Sequence, residues 1–538
     1  MFGLTIREVV SRLKDGRLSA PELCSRCIKR AQRCKDLNAI VTDTFSKSLE
    51  EAKAIQNKIE NGLPIGPLAG IPIAAKDNFS TKGIKTTCGS HTLHNYTPPY
   101  TATVVQRLQD SGALLMGKTN LDEFAMGSGT TESIFGPTRN VWRYPFHQSG
   151  SAAPDSGAQL DEVEAEGAQS RLEDSQWFVT GGSSGGSAIA VASGICMAAL
   201  GSDTGGSTRQ PASFCGVVGL KPTYGLCSRH GLISLVNSLD VPGILAKNVD
   251  DAAVILGVIA GHDPLDSTTV TNPFTPFKLP EEVDVKGLHI GIPKEYHSPG
   301  LSPDVLAAWS MAADLFERAG AKVSSISLPH TQYSIAVYSV LCAVEVASNM
   351  ARYDGIEFGH RSSEGKSTEE LFAQTRHQSF LDVVRGRILA GNYFLLERNY
   401  ERYFLHAQRV RRLIANDFQE AFSDQGVDVI LTPTTISDSP TFAEFSSVDS
   451  RAQTEKQDVF TTPVNLAGLP AVIVPTMLSS RGLPIGLQII GRSHQEQSLL
   501  TVAKWLEQEV RFPHHVLEDH IAAAGVGLQR EESGTSMP

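Results

Sequence analysis

Cysteine is scarce, with 8 residues in 538, and they do not recur at the spacings of a disulfide framework. No basic stretch followed by an apolar core opens the chain, so the expectation is a protein of a reducing compartment without a secretory leader. Long apolar runs are missing too. The longest, Ala188 to Leu200, is interrupted by Ser193 and Gly194 and is too short to span a bilayer, so no membrane association is expected. Basic runs are absent as well. With 47 Lys and Arg against 58 Asp and Glu the net charge is −11, and without clustered cations the chain is a poor nucleic-acid binder by itself. Any RNA would be held by a partner. Cys24 and Cys27 form a CxxC with Cys34 nearby, but no second Cys/His pair lies at zinc spacing. The segment around them, ELCSRCIKRAQRC, reads as an amphipathic helix, and no metal site is expected. With 41% hydrophobic and 20% charged residues, the chain as a whole is neither disordered nor a coiled coil.

What is present is an alternation of strand-like and helix-like segments. LTIREVVSRLKDG, APELCSRCIKRAQ and a charged stretch through Ala52 and Ile59 have helical periodicity. LAGIPIAAKDN and ALLMGKTN read as buried strands, with the helix TATVVQRLQDSG between them. AIAVASGICMAAL reads as one apolar helix between two glycine-dense loops. Further on, VKGLHIGIPK, AKVSSISL, VDVILTPT and PAVIVPT read as strands. LAAWSMAADLFERAG and most of 335–422 read as helix. This pattern predicts an α/β protein with its sheet covered on both faces by helices. Residues 143–176 are rich in Ser, Gly, Ala and acids and predict a flexible insertion; 525–538 predict a disordered tail.

Gly112-ALLM-Gly117-Lys118-Thr119 fits the phosphate-loop pattern letter for letter. That chemistry needs a flexible turn of exposed N–H groups leading into a helix. Here the intervening residues form a strand and the helix comes before it, so no ATP site is expected. Gly181-Gly182-Ser183-Ser184-Gly185-Gly186 contains GxSxG twice, a pattern shared with the hydrolase nucleophile elbow. That reading needs an acid and a histidine downstream, and no histidine stands in a distinctive setting; the bland alternative is a tight turn and helix cap. A second loop, Gly201-Ser202-Asp203-Thr204-Gly205-Gly206-Ser207-Thr208-Arg209, strengthens the chemical reading. Consecutive N–H groups of Thr204, Gly205, Gly206 and Ser207 could converge into an oxyanion hole. Upstream, Lys76 ends the apolar run Ile71 to Ala75. Buried there, its neutral form would be favoured and it could act as a base; the alternative is a strand-end lysine reaching out to solvent.

LAGIPIAAKDN, GGSSGGSAIAVASG and GSDTGGSTRQPASFCGVVGLKPTYG, in this order and spacing, resemble the amidase signature family. The likeness extends over essentially the whole chain through NLDEFAMGSGTTES, EVASNMARYDG, VVRGRILAGN, FTTPVNLAGLPA and GLPIGLQIIG, and is to the glutaminase subunits of tRNA-dependent amidotransferases. The resemblance implies one domain over 1–524 built on a large mixed sheet covered on both faces by helices, with Ser207 as nucleophile, Ser183 as bridging serine, Lys76 as base and Ser184 supporting the loop. It implies free glutamine as substrate, with Arg387 on its α-carboxylate, Asp458 on its α-ammonium and Tyr338 lining the site. Without the resemblance Arg387 and Asp458 read as a surface salt-bridge arginine and a helix-capping aspartate. It further implies a B subunit holding Glu-tRNA(Gln), ATP and magnesium, a small strap-like C subunit, and no cofactor in this chain. The long acidic segment suits a member of the mitochondrial matrix. Ser-Thr-Arg after the two glycines, where the family usually has Ser-Ile-Arg, is a mild departure. A stand-alone amide hydrolase and a non-catalytic scaffold are the rival readings.

Overall fold

Short apolar runs bounded by turn residues cannot make a helix long enough to bury itself, and in this chain they make strands. The computed structural model describes residues 3–146 and 177–524; most of the acidic insertion and the whole C-terminal tail lie outside them. The strands are β1 (Ile40–Asp43), β2 (Pro72–Lys76), β3 (Leu114–Thr119), β4 (Ala198–Asp203), β5 (Val218–Lys221) and β6 (Val241–Ala246), followed by β7 (His289–Pro293), β8 (Lys322–Ile326), β9 (Val429–Pro433), β10 (Ala471–Leu478) and β11 (Pro484–Ile490). Together they form one 11-stranded mixed sheet, in the order β1-β3-β2-β4-β6-β5-β10-β11-β9-β7-β8. Every residue of β2, β3, β4, β5, β6, β9 and β11 is buried, so both faces of the sheet are covered there. This is the expected α/β architecture.

The helices that cover it start where the sequence marks them. α1 (Ile6–Lys14) opens on a capping box between Thr5 and Glu8 and buries Ile6, Val9, Val10 and Leu13. α2 (Ala20–Arg33) is capped by Ser19 and turns Cys24 and Cys27 into the core. Burial pushes the Cys27 thiol up to about 12, and both cysteines pack into the core as the amphipathic reading of this helix expects. α3 (Phe45–Glu60) and α4 (Thr103–Asp110) also match expectation. AIAVASGICMAAL does not. Its first half belongs to α5 (Gly185–Ala192), the chain turns at Ser193–Gly194, and its end enters β4. Glycine with φ +74 at 194 ends the helix where an L-side chain would be strained. Uniform apolarity hid the break, because a buried helix and a buried strand look alike in composition. Downstream lie α6 (Arg209–Cys215), α7 (Pro303–Arg318), α8 (Ser334–Met350), α9 (Thr368–Ser379), α10 (Asp382–Leu395) and α11 (His406–Ser423). α8 is apolar enough to cross a membrane by composition, but most of it is buried within the fold, as befits a core helix.

β2, β3 and β4 run parallel at the centre of their half of the sheet, with Ala75 opposite both Lys118 and Leu200. Their carboxyl ends therefore lie side by side, which is where open α/β sheets gather functional groups. The phosphate-loop lookalike is β3 itself. Lys118 is fully buried and paired with Asp77 at 3.0 Å, and it donates to the carbonyl of Phe79 and the hydroxyl of Thr86. Asp77 in turn accepts the Thr87 N–H at 2.9 Å. Removing one member of such a pair strands a buried charge. Asp77→Ala and Lys118→Met should therefore each lower unfolding stability by about 3–5 kcal/mol, and replacing both residues together by apolar ones should cost clearly less than the sum. Denaturant titration of the two single variants and the double variant checks this.

Candidate active site

Lys76 ends β2 with no exposed surface, and its side chain meets three hydroxyls. Nζ lies 2.7 Å from Ser183 Oγ, 2.9 Å from Ser184 Oγ and 3.0 Å from Ser202 Oγ. Burial pulls its pKa down to about 7; Asp122, Asp203 and Asp240 work against that shift from a distance. No carboxylate pairs with it directly among the described residues. The proton bookkeeping around the amine is constrained. Ser184 Oγ donates its single hydrogen to the Ser202 carbonyl at 3.2 Å, so toward Lys76 it is an acceptor. Ser202 Oγ already accepts an N–H of Asn78 at 2.9 Å. With Ser184 and Ser202 taking the two N–H groups of the neutral amine, its lone pair is left for Ser183, the shortest contact.

Ser183 and Ser184 precede α5, and the loop packs too tightly for any side chain. A Cβ on Gly185 would lie 2.0 Å from Thr180 Oγ1, and one on Gly186 2.5 Å from the Asn120 carbonyl. The two glycine-serine loops are tied by the Ser184 N–H donating to the Ser207 carbonyl at 3.0 Å. Ser207 itself is 9% exposed, at the rim of the buried cluster, and its hydroxyl makes no hydrogen bond among the described residues. Among the described residues, the side-chain partners of Ser183 and Ser184 thus include a lysine and no histidine. His230 sits elsewhere, against Thr103, so the nucleophile-elbow reading fails.

The loop from Thr204 to Ser207 presents its backbone inward. Among the described residues no protein acceptor takes the N–H of Thr204, Gly205, Gly206 or Ser207. Buried donors rarely go unused, so these four amides are available to an acceptor from outside the protein. Gly206 has φ +146 and a Cβ there would strike Thr461 Oγ1 at 2.3 Å. Both ends of the loop are held. Thr204 Oγ1 donates to Asp240 at 2.7 Å. At the other end Asp203 accepts from Arg209 through Nε at 3.0 Å and Nη2 at 2.9 Å, a fully buried pair. Although burial works against it, the Arg209 guanidinium holds the Asp203 carboxyl down to about 2.

The predicted substrate residues converge on the same loop. The Tyr338 ring, from α8, lies 3.0 Å from the position of a Cβ on Gly205, and Asp458 Oδ1 lies 3.2 Å from that of a Cβ on Gly206. Burial pushes Asp458 up to about 8, with Asp203 adding repulsion, and its Oδ1 has no hydrogen-bond partner. Arg387, on α10, donates through Nη1 to Cys342 Sγ at 3.2 Å and forms no ion pair among the described residues. A thiol is a weak acceptor, so the guanidinium keeps most of its capacity for an anion. Sequence reasoning missed Ser202, Asn78, Asp240 and the Asp203–Arg209 pair. Ser202, Asn78, Asp203 and Arg209 stood inside the quoted motifs; Asp240, in SLDVPG, carried no signal at all.

The Amidase family pattern matches residues 22–153 and 174–500. The chain is 58% identical over 537 residues to the A subunit of mitochondrial glutamyl-tRNA(Gln) amidotransferase of Ornithorhynchus anatinus, covering 100% of both. It is 56% identical over 533 residues to the human protein of the same name, covering 99% of this chain and 98% of that one. Among solved structures, the A subunit of glutamyl-tRNA(Gln) amidotransferase from Thermotoga maritima superposes with a TM-score of 0.71 at 36% identity, covering 94% of this chain and 95% of that one. The peptide amidase of Stenotrophomonas maltophilia gives 0.73 at 27% identity, covering 94% and 97%. The chain belongs to the amidase family, and is an enzyme of amide chemistry.

Lys76 gives this site a pH signature. Amide hydrolysis that needs its neutral form should fall as pH drops below about 7. Ser202→Ala removes an acceptor that favours the ammonium, so the acid limb should move to lower pH while kcat falls on the order of tenfold through lost orientation. Ser202→Thr should restore both. The pH–rate profiles of the three proteins give the answer, and an unmoved limb would refute the hydrogen-bond assignment.

Proposed function

We propose that this chain is the glutaminase subunit of a heterotrimeric glutamyl-tRNA(Gln) amidotransferase of the mitochondrial matrix. The observation that carries the chemistry is a fully buried Lys76 whose Nζ meets the Ser183 hydroxyl at 2.7 Å, beside four backbone amides that no protein acceptor takes among the described residues. The names of its full-length relatives supply the substrate and the assembly.

In this reading neutral Lys76 takes the proton of Ser183, Ser183 takes that of Ser207, and Ser207 Oγ attacks the side-chain carboxamide carbon of glutamine. The carbonyl oxygen becomes an oxyanion held by the N–H groups of Thr204 to Ser207. Collapse of the tetrahedral adduct breaks the C–N bond, the relay returns a proton to the nitrogen, and ammonia leaves. Water, deprotonated by the same relay, then hydrolyses acyl-Ser207 to glutamate and free serine. Arg387 binds the α-carboxylate by its planar fork, Asp458 the α-ammonium, and Tyr338 lines the pocket. The B subunit would use ATP and magnesium on Glu-tRNA(Gln) and consume the ammonia, with the C subunit strapping the two together. The net charge of −11 suits a chain that leaves the tRNA to its partner.

Ser207→Ala should abolish glutamine hydrolysis while leaving assembly intact, and ammonium salts should restore tRNA amidation in the complex. Retained glutaminase activity in that variant would refute the nucleophile; failure of ammonium to rescue would point to a damaged assembly.

Arg387→Ala should raise the glutamine KM at least about tenfold, since losing one partner of a buried charge-assisted pair costs roughly 2–5 kcal/mol. Arg387→Lys should rescue poorly, because an ammonium cannot reproduce the fork. Asp458 must ionise before it can hold an ammonium, so glutamine affinity should improve as pH rises toward about 8. Asp458→Asn should flatten that dependence. Steady-state kinetics across pH tests both residues.

A further inference from the structure

We propose that Glu123 is a positioning residue for glutamine recognition: it anchors the start of α10 and thereby sets where Arg387 meets the substrate. The inference rests on the assignment of Arg387 above.

Asp122 and Glu123, in the loop after β3, face two different parts of the molecule. Asp122 accepts the N–H groups of Thr130 and Thr131 at 2.9 Å each and that of Glu132 at 3.1 Å. It lies against the peptide that leads into Ser183, for a Cβ on Gly182 would be 2.2 Å from its Oδ2. Glu123 turns toward the recognition helices. Its Oε2 accepts the N–H of Leu381, the residue that caps α10, at 2.8 Å, and its Oε1 accepts the Ser90 hydroxyl at 2.5 Å. Thr92 adds a hydrogen bond to the Ser379 carbonyl at 3.1 Å. Phe124 packs on Tyr353 and Phe380, with ring centroids 5.2 and 5.9 Å away. Residues 122–124 thus bridge the serine loop and the turn that launches the arginine helix.

α10 lies lengthwise against α8, with Val383 and Ile388 resting on the core. Only Val384 and Gly391 are buried along it, and Leu389 is 72% exposed. Gly391 is one fixed point: a Cβ there would lie 2.0 Å from the Ala343 carbonyl, so the helix touches α8 backbone to backbone. Leu381 is the other, and no side chain of α10's own N-terminus caps it. Arg387 sits between the two. At a rise of about 1.5 Å per residue it is roughly 9 Å from one and 6 Å from the other, so slack at Leu381 shifts the first turns of α10 against α8 and carries the guanidinium with them. A carboxylate is the strongest acceptor for an N-terminal helix amide, and it also complements the positive end of the helix. Glu123 is 1% exposed. Burying a carboxyl this deeply is costly unless its contacts are specific.

The test uses Glu123→Gln in the full chain assembled with its partner subunits. The glutamine KM should rise on the order of tenfold with kcat nearly unchanged, since a misplacement of about 1 Å can cost up to 100-fold. A simple primary amide lacking an α-carboxylate should be hydrolysed as before. Ser90→Ala, which removes one of the two contacts on the carboxylate, should shift KM in the same direction by less, and it carries the test if the glutamine variant does not fold. Equal losses on both amides, or an unmoved glutamine KM, would overturn the proposal. Arg387→Ala measured alongside separates the two ways to fail. If it raises KM and Glu123→Gln does not, only the positioning role falls; if neither does, the pocket assignment falls with it.

Discussion

A lysine with no carboxylate beside it is the constraint around which this structure is arranged. Burying an ammonium without a counterion is far costlier than burying an amine, so Lys76 gives up its charge near neutral pH. Three serine hydroxyls can satisfy an amine, and only hydroxyls can also pass protons to it. Their placement dictates the surroundings: β2 and β4 must run parallel and adjacent so that Lys76 and Ser202 meet, and glycines must crowd the loops so that Ser183 and Ser184 reach the amine. A carboxylate drawn into contact would restore the ammonium and remove the base. Asp122, Asp203 and Asp240 all lie close enough to be felt, yet each is engaged by other donors: backbone amides, Arg209 and Thr204 respectively.

Two other buried lysines show that burial alone does not make a base. Lys118 keeps its charge partner, Asp77, and braces the β2–β3 edge. Lys221 is also pulled down to about 7 by burial, with Arg209 adding to the shift. Its Nζ, however, donates to the backbone carbonyls of Pro222 and Leu469. A carbonyl accepts a hydrogen bond but has no proton to give, so Lys221 can pin two loops and cannot relay anything. The three residues share a side chain, full burial and a place at a strand end. What separates them is the chemistry of the atoms around Nζ.

This distinction marks how much was legible beforehand. Strand-like runs at Pro72–Lys76 and Leu114–Thr119 and the α/β alternation could be read from composition and spacing, as could the failure of the phosphate-loop pattern. β1, β5, β6 and β11 went unread, and Ala188–Leu200 was misread, because uniform apolarity carries no period. At the site, the glycine-serine loops announced themselves by composition, while Lys76 was ambiguous until the serines stood beside it. Arg387, Asp458 and Tyr338 come together only through packing of α8, α10 and the segment before β10, across more than a hundred residues of chain. Local pattern holds no record of such a meeting, and only the family resemblance pointed to them. Asp240 holds the Thr204 hydroxyl and Glu123 the Leu381 amide, and nothing in their sequence neighbourhoods sets them apart from ordinary acids.

The proposed substrate side obeys the same electrostatic logic. Among the described residues Asp458 Oδ1 has no hydrogen-bond partner, and Arg387 donates to the Cys342 thiol without forming an ion pair. On the proposed reading, an amino acid with a carboxylate and an ammonium would engage both. Asp458 and Arg387 already feel each other, the arginine holding the aspartate below where burial alone would put it. If a zwitterion binds and Asp458 ionises, the pocket goes from one net positive charge, that of Arg387, to none, and each buried charge then has an opposite beside it. On the proposed reading, a substrate bearing only one of the two charges would leave one of these residues unmatched in a buried site, so discrimination would follow from this pair of side chains.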